Sequence, residues 1–542
     1  MDVMKSSPHR TAASPEEIRK ERRLIAFLSD SRSYAHKPKS VRLIQTHASW
    51  VFVAPPYAFK VKKPVNFGFL DFSTLEKRRK CCEREVELNR RLSPWAYLGV
   101  VPIGCLGNRL VCGLPPGSTV VEYAVQMQEL DPEGFLDHRL ARGTVRRSDL
   151  DRVASTLIDF YRNQHPTLTV ESWGRRSRLR LSTEENFRQT RPFIGTIITA
   201  AAWKAIRDYT NRFYREHAGL FRSRIQERWI RDCHGDLRLE HVHFSRRGLQ
   251  IFDCIEFNDR LRYVDVANDI AFLAMDFDFQ GRSDLSSYLV TTLASGLGDS
   301  GMLRLMDFYK CYRAYVRGKV ECLRSLAPTA GRVEQRNSAK KARRYFQLSL
   351  QYALAGSRPL VVVVMGRVGS GKSSVARAMA EETNWKLVSS DRVRKELAGL
   401  PVFQRTRDSG RTRLYSESMT ARTYGRLFEV AESEVQAGRS VILDATFGSR
   451  KHRAELLRRC HAWGVTCRWV EVKAPDHQIQ RRLRERERQR AVISDARLED
   501  FPKLASSYEA PKELRDQGYM VVLALGPVSE TLQRVLTRLA AL

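Results

Sequence analysis

What this 542-residue chain lacks narrows its function before any motif is read. Its ten cysteines contain no C-x-x-C pair and are scattered, apart from the adjacent Cys81 and Cys82. That argues against a zinc cage or a disulfide framework and for a reducing compartment. No apolar run approaches the roughly 18 residues of a membrane helix. The opening MDVMKSSPHRTAASPEE has no apolar signal segment. The expected setting is the cytoplasm, with no membrane partner. Also missing is a dense Lys/Arg run with interleaved aromatics, the makings of a base-stacking platform. The net charge of +32 is mostly arginine spread along the whole chain, so nucleic acid stays open as a partner without being favoured.

What is present begins with 42% apolar residues, enough for large cores in roughly three or four folding units. Leu360 to Met365 is a short apolar run rich in β-branched residues, the pattern of a strand buried on both faces of a parallel sheet. GRVGSGKS follows, matching G-x-x-x-x-G-K-[ST] at Gly366, Gly371, Lys372 and Ser373. Val375, Ala378 and Met379 then recur at helical spacing. A loop of this composition between a strand and a helix is a P-loop. Its backbone N–H groups, from Gly366, Arg367, Val368, Gly369, Ser370, Gly371 and on into Ser374, close around phosphate oxygens at the positive end of a helix. Lys372 neutralises the outer phosphates and the Ser373 hydroxyl ligates Mg²⁺, so ATP and Mg²⁺ are the expected cofactors.

The same region offers further acids and arginines. KLVSSDRVRKEL places Asp391 just past a short strand, with Arg394 one helical turn later. VILDATF is a second buried strand ending in Asp444, where a Walker-B-like metal-binding acid belongs; the plainer alternative is a helix N-cap. Arg482, Arg486 and Arg490 share one helical face, either as a mobile lid over phosphates or as an ordinary exposed helix. Residues 358–542 resemble the small P-loop kinases that phosphorylate metabolites or polynucleotide 5′ ends. The resemblance implies that Asp391 deprotonates or contacts the acceptor hydroxyl, Arg394 helps hold the acceptor, and Arg486 is the lid arginine.

Nearer the start, Ser14-Pro15-Glu16-Glu17 opens a helix with a capping box. VRLIQT, SWVFVA and YAFKVKK read as strands, with Lys60 and Lys62 on one face, and a helix from about Ser73 to Leu92 carries Glu83, Glu85 and Glu87. Later come RDCHGDLRLEHVHF, LQIFDCIEFN and YVDVANDIAFL. His234-Gly235-Asp236, Asp253 after an apolar strand, and Asp265 opening a helix resemble the aminoglycoside phosphotransferase group of the protein-kinase-like fold. The resemblance implies that Asp236 is the catalytic-loop aspartate and Asp253 a Mg²⁺ ligand. It pairs Lys60, with Lys62 as alternative, to Glu85 over the nucleotide. It makes Asp265 the brace of the catalytic loop, with Asp269 either structural or solvated. His241 stands where that family has a metal-ligating asparagine; imidazole suits a hard ion poorly, and Glu256 is a substitute ligand. QTHASW replaces a Gly-rich loop ahead of Lys60.

The order of the two modules, with FKVKKPVNFGFLDF and LNRRLSP, resembles the bacterial bifunctional aminoglycoside phosphotransferase/ATP-binding proteins. The expected fold is an α+β, protein-kinase-like, two-lobed domain followed by an α/β P-loop NTPase domain with a mostly parallel sheet. The expected boundaries are a flexible tail 1–13, a kinase-like domain 14–345 (N-lobe about 41–125, C-lobe about 126–345), a linker 346–357 and a P-loop domain 358–542. The expected activity is transfer of the ATP γ-phosphoryl group to a hydroxyl of a small molecule. The alternatives are a non-catalytic N-terminal sensing module beside an ATP switch, or a polynucleotide 5′-hydroxyl kinase. Residues 126–345 lack the clustered acidic loop that a polycationic aminoglycoside would require.

Overall fold

A computed structural model of the chain describes residues 14–68, 70–327, 331–406, 408–488 and 493–542. The expected tail 1–13 lies outside the described residues. The chain divides into two compact units, residues 1–179 with 219–306, and residues 180–218 with 307–542.

The first unit opens with the Pro15–Ser29 helix, whose Ser14–Glu17 capping box is formed as expected. An antiparallel sheet of six strands follows: β1 (Arg42–Gln45), β2 (Ser49–Ala54), β3 (Tyr57–Lys62), β4 (Tyr97–Leu106), β5 (Arg109–Cys112) and β6 (Thr119–Gln128). Their order is β1-β2-β3-β6-β4-β5. Alternation along β3 gives Lys60 and Lys62 one common face. The Leu75–Asn89 helix, capped by Thr74, packs on β4 and β6 and buries Glu85. The unit continues through β7 (Ile230–Asp232), the β8 (Val242–Ser245) and β9 (Gly248–Ile251) hairpin, and β10 (Tyr263–Asp265), which pairs with β7. The Val266–Phe279 helix beneath them is buried almost all round, so its apolar sequence has no single face to pattern.

The second unit is built on a five-stranded, wholly parallel sheet: β11 (Leu360–Met365), β12 (Lys386–Ser389), β13 (Val441–Asp444), β14 (Thr466–Lys473) and β15 (Tyr519–Leu523). The order is β12-β13-β11-β14-β15, so β11 lies at the centre and every residue of it is buried. Helices upstream of the sheet also belong to this unit. Ala200–Glu216 packs on the C-terminal Val528–Leu539 helix, and Arg332–Ala355 packs on Ala200–Glu216 and on Lys372–Thr383. Residues 346–357, expected as a linker, are helical as far as Ala355. Tyr345, Phe346, Leu350 and Leu354 are buried along that helix, and burial of this apolar stripe is why it does not unwind. Among the described residues no helix is long and apolar enough to cross a membrane.

Candidate active sites

In the second unit β11 feeds directly into the loop 366–371. Gly366 has φ +141°, and a Cβ there would meet the Val472 carbonyl oxygen at 2.4 Å, so only glycine closes the first turn of the loop. Gly371, at φ +100°, precedes the Lys372–Thr383 helix, whose N-terminal turn carries Lys372 and Ser373. Arg482 pins the loop from outside, donating to the Ser370 carbonyl (2.8 Å) and to the Ala524 carbonyl (2.8 Å). Arg367 is ion-paired with Asp476. Val368 packs against the Ile479, Leu483 and Phe501 cluster, which joins the loop to the arginine helix. Ser374 is exposed on the following turn.

Parallel register sets the acids. Val364 of β11 pairs with Asp444 of β13, and Asp444 pairs with Ser389 of β12, two residues before Asp391. Asp444 is 3% exposed and its Oδ1 has no hydrogen-bond partner. Burial pushes its carboxyl above the usual range, with the Lys372 ammonium and the Ser373 hydroxyl pulling it back and Asp391 adding to the rise. Burial lowers the Arg486 guanidinium, and the carboxylates of Asp391 and Asp444 oppose that. Arg394 is buried; it donates to the Leu414 carbonyl and the Thr420 hydroxyl (both 3.1 Å) and lies over the Tyr415 ring. Arg490 lies outside the described residues.

In the first unit the Lys60 Nζ is 2.8 Å from Glu85 Oε1 and 2.5 Å from Asp253 Oδ1. Burial works against charging Lys60, but Asp253 and Glu85 outweigh it and hold the ammonium firmly protonated. Lys62, the alternative, is 1% exposed and locked between Glu85 and Glu256 beside the Phe72 ring. Its ion pair occupies Glu256, and burial pushes that carboxyl up, which counts against Glu256 as a substitute metal ligand. Asp253 stands at φ +62° just past β9, with its side chain 40% exposed. His241 Nδ1 is 2.7 Å from the Asp236 carbonyl, so that nitrogen donates and Nε2 is left facing Asp253 Oδ2 at 3.6 Å. The brace of the loop is Asp269: it accepts from the His234 and Gly235 amides (2.9 and 2.8 Å) and from the Tyr161 hydroxyl (2.9 Å). Asp265 instead forms a buried ion pair with Arg224, which also binds Asp299. The expected brace was therefore one helical turn off, because Asp265 is taken up as the N-cap of its own helix.

An AAA-domain family model matches residues 361–511, the stretch that carries the loop, Asp391, Asp444 and Arg486. The Mycobacterium tuberculosis (strain H37Rv) protein named "Uncharacterized protein Rv2004c" is 33% identical over 413 residues, 76% of this chain and 79% of that protein. The same figures hold for "Uncharacterized protein Mb2027c" of Mycobacterium bovis. The chain belongs to their family. Among solved structures it is similar to a gluconokinase from Sinorhizobium meliloti 1021 (19% identity, 34% of this chain, 93% of that one, TM-score 0.26). It is also similar to the Mycobacterium tuberculosis APS kinase CysC in complex with AMPPNP and APS (23%, 34%, 98%, 0.25). Those scores decide nothing about this family member; the side-chain geometry has to.

Two parts of the geometry were not legible as site residues. Asp495 accepts from the Thr406 amide and hydroxyl (2.9 and 2.8 Å) and lies 3.5 Å from the buried Lys395, tying the segment around 406 to the Ser390–Leu397 helix. Arg405 donates to the Arg486 carbonyl (2.5 Å). Asp495 stands in the Ser494-Asp495-Ala496 stretch that follows the helix of Arg482 and Arg486, and nothing in the sequence marks Arg405. Among the described residues no three His, Cys, Asp or Glu side chains are gathered so as to hold a metal by themselves.

Proposed function

We propose that this protein is an ATP-dependent phosphotransferase, and that its second unit moves the γ-phosphoryl group of ATP onto a hydroxyl of a small molecule. The observation that carries this is the buried Asp444 carboxylate at the carboxyl end of a central strand, with one oxygen unpartnered, on which the Lys372 ammonium, the Ser373 hydroxyl and Asp391 act and whose charge is felt by Arg486. Amides of residues 366–374 hold the polyphosphate, and Lys372 offsets charge on the outer phosphates. Asp391 takes the proton of the acceptor hydroxyl, the oxygen bonds to the γ-phosphorus, the bond to the β–γ bridging oxygen breaks, and ADP leaves. Arg486 stabilises charge on the transferring group. The orphaned Asp444 oxygen and the Ser373 hydroxyl suit Mg²⁺, which prefers one or two protein oxygens plus phosphates. Bound there, it would supply charge neutralisation between the β- and γ-phosphates.

The first unit supports a related reading. A lysine on β3 paired with a helix glutamate, an aspartate after β9 and a braced His-Gly-Asp loop fit a protein-kinase-like phosphotransferase of the aminoglycoside phosphotransferase group. The chain would then be bifunctional, in keeping with a cytoplasmic enzyme. His241 favours a second reading, a nucleotide-sensing unit without transfer, because its imidazole replaces an oxygen ligand beside Asp253. ATP consumption by full-length Lys372→Ala and Asp236→Ala proteins separates these readings. Loss with Lys372→Ala alone supports the sensing role, and loss of separate fractions supports two active units. No change in either variant would falsify both.

A further inference from the structure

The first unit differs from an all-oxygen Mg²⁺ site at one atom, the Nε2 of His241. His241 ends the short Leu239–His241 helical turn that leads into β8, and it is only 7% exposed. Its ring lies beside that of Phe252, with centroids 5.8 Å apart, and the Phe252 amide donates to the His241 carbonyl at 3.0 Å. Because Nδ1 donates to the Asp236 carbonyl at 2.7 Å, the neutral ring keeps its lone pair on Nε2. Among the described residues Nε2 has no hydrogen-bond partner. The acids facing it are Asp253, with Oδ2 at 3.6 Å, and Glu240, with Oε1 at 3.7 Å. Asp236 Oδ2 lies 3.6 Å from the other ring nitrogen, Nδ1.

These acids differ in what they can still bind. Glu240 is ion-paired with Arg238, and Glu256 with Lys62. Asp253 gives Oδ1 to Lys60 and presents Oδ2 to His241. A neutral imidazole nitrogen and a carboxylate oxygen are both acceptors, so neither satisfies the other. A divalent transition ion sits about 2.0–2.2 Å from such atoms, and one ion therefore reaches both across the gap. Donation from Nδ1 to a backbone carbonyl is also how ligating histidines are oriented and made more basic. Mg²⁺ keeps to oxygen ligands and water, whereas first-row transition ions take imidazole readily.

We infer that the first unit binds its nucleotide with a divalent transition ion such as Mn²⁺, held by His241 Nε2 and Asp253 Oδ2, in preference to Mg²⁺. Two protein ligands do not hold the ion alone, so phosphate oxygens and water complete its shell, and ion and nucleotide bind together. The inference rests on the reading of the first unit as a nucleotide site, and it holds whether that unit transfers phosphoryl or only senses. A charged imidazolium paired with Asp253 is the competing account of the same geometry, and it predicts no nitrogen bound to metal.

The test uses full-length Lys372→Ala protein, so that the P-loop's grip on phosphate is weakened. It is titrated calorimetrically with the β,γ-methylene analogue of ATP, in Mg²⁺ and separately in Mn²⁺. Binding should be about tenfold tighter with Mn²⁺, and adding His241→Asn, which offers an oxygen instead, should remove that preference. Electron spin-echo spectra of the bound Mn²⁺ read the ligand without a variant: their nitrogen modulation should change when the protein's histidines carry ¹⁵N. A Mn²⁺-to-Mg²⁺ affinity ratio unmoved by His241→Asn, or a spectrum indifferent to the ¹⁵N label, would overturn the inference and leave the nucleotide reading standing. Absence of saturable heat with both ions would overturn the two together.

Discussion

At the scale of single residues, Asp444 shows a conflict between stability and chemistry. Its carboxyl is raised by burial above the ordinary value of 3.8, so the fold favours its neutral form. Ionised Asp444 therefore costs stability at neutral pH, and that cost disappears as pH falls through its native pKa. Asp444→Asn should stabilise the second unit by about 0.5–2 kcal/mol at pH 7 and abolish metal-dependent ATP turnover. Chemical denaturation across pH checks this: the gain should shrink in acid, and a gain independent of pH would contradict the assignment. Lys372→Ala should lower turnover by about 100-fold or more with little change in stability, since its ammonium serves bound phosphate. Lys60→Met is the opposite case. It leaves the partly exposed Asp253 without its cation and Glu85 with Lys62 alone, so the first unit should lose about 1–3 kcal/mol in urea unfolding.

At the scale of elements, the P-loop depends on backbone shape as much as on its lysine. Gly366→Ala places a methyl group against the Val472 carbonyl, so the second unit's share of the ATP binding measured by calorimetry should be lost while β11 and its core neighbours persist. Asp269→Asn should loosen the 234–236 loop, because an amide replaces one of the two carboxylate oxygens that now receive His234, Gly235 and Tyr161. Faster hydrogen exchange at residues 234 and 235 would register it. The P-loop was legible because its glycines, lysine and flanking strand are contiguous in sequence. Asp269 was not, because what distinguishes it from Asp265 is which partner reaches it. Tyr161 and Arg224 come from distant segments of the chain.

At the scale of the whole molecule, the charge of +32 invites polyanions in general. If the acceptor is a small molecule, oligonucleotides should bind weakly and lose affinity steeply as salt rises toward 0.2 M, without becoming 5′-phosphorylated. Fluorescence anisotropy against salt, with a labelled-phosphate assay alongside, distinguishes the cases. The expected domain cut at 346–357 falls inside the second compact unit, because helices from 180–218 and 307–355 assemble there. Phe213 stacks on Phe308 at 4.4 Å, and the Val528–Leu539 helix packs on Ala200–Glu216.

By itself the sequence determined whatever is encoded in neighbouring residues: the phosphate loop, the capping box at Ser14, the buried strands and the lysine-bearing β3. The tertiary structure alone decided which apolar helix face met which. It also decided that Asp269 rather than Asp265 holds the loop and that Glu256 is spent on Lys62. Local propensity is a property of a short window of chain, whereas pairing between distant side chains is set by burial, and no window contains both partners.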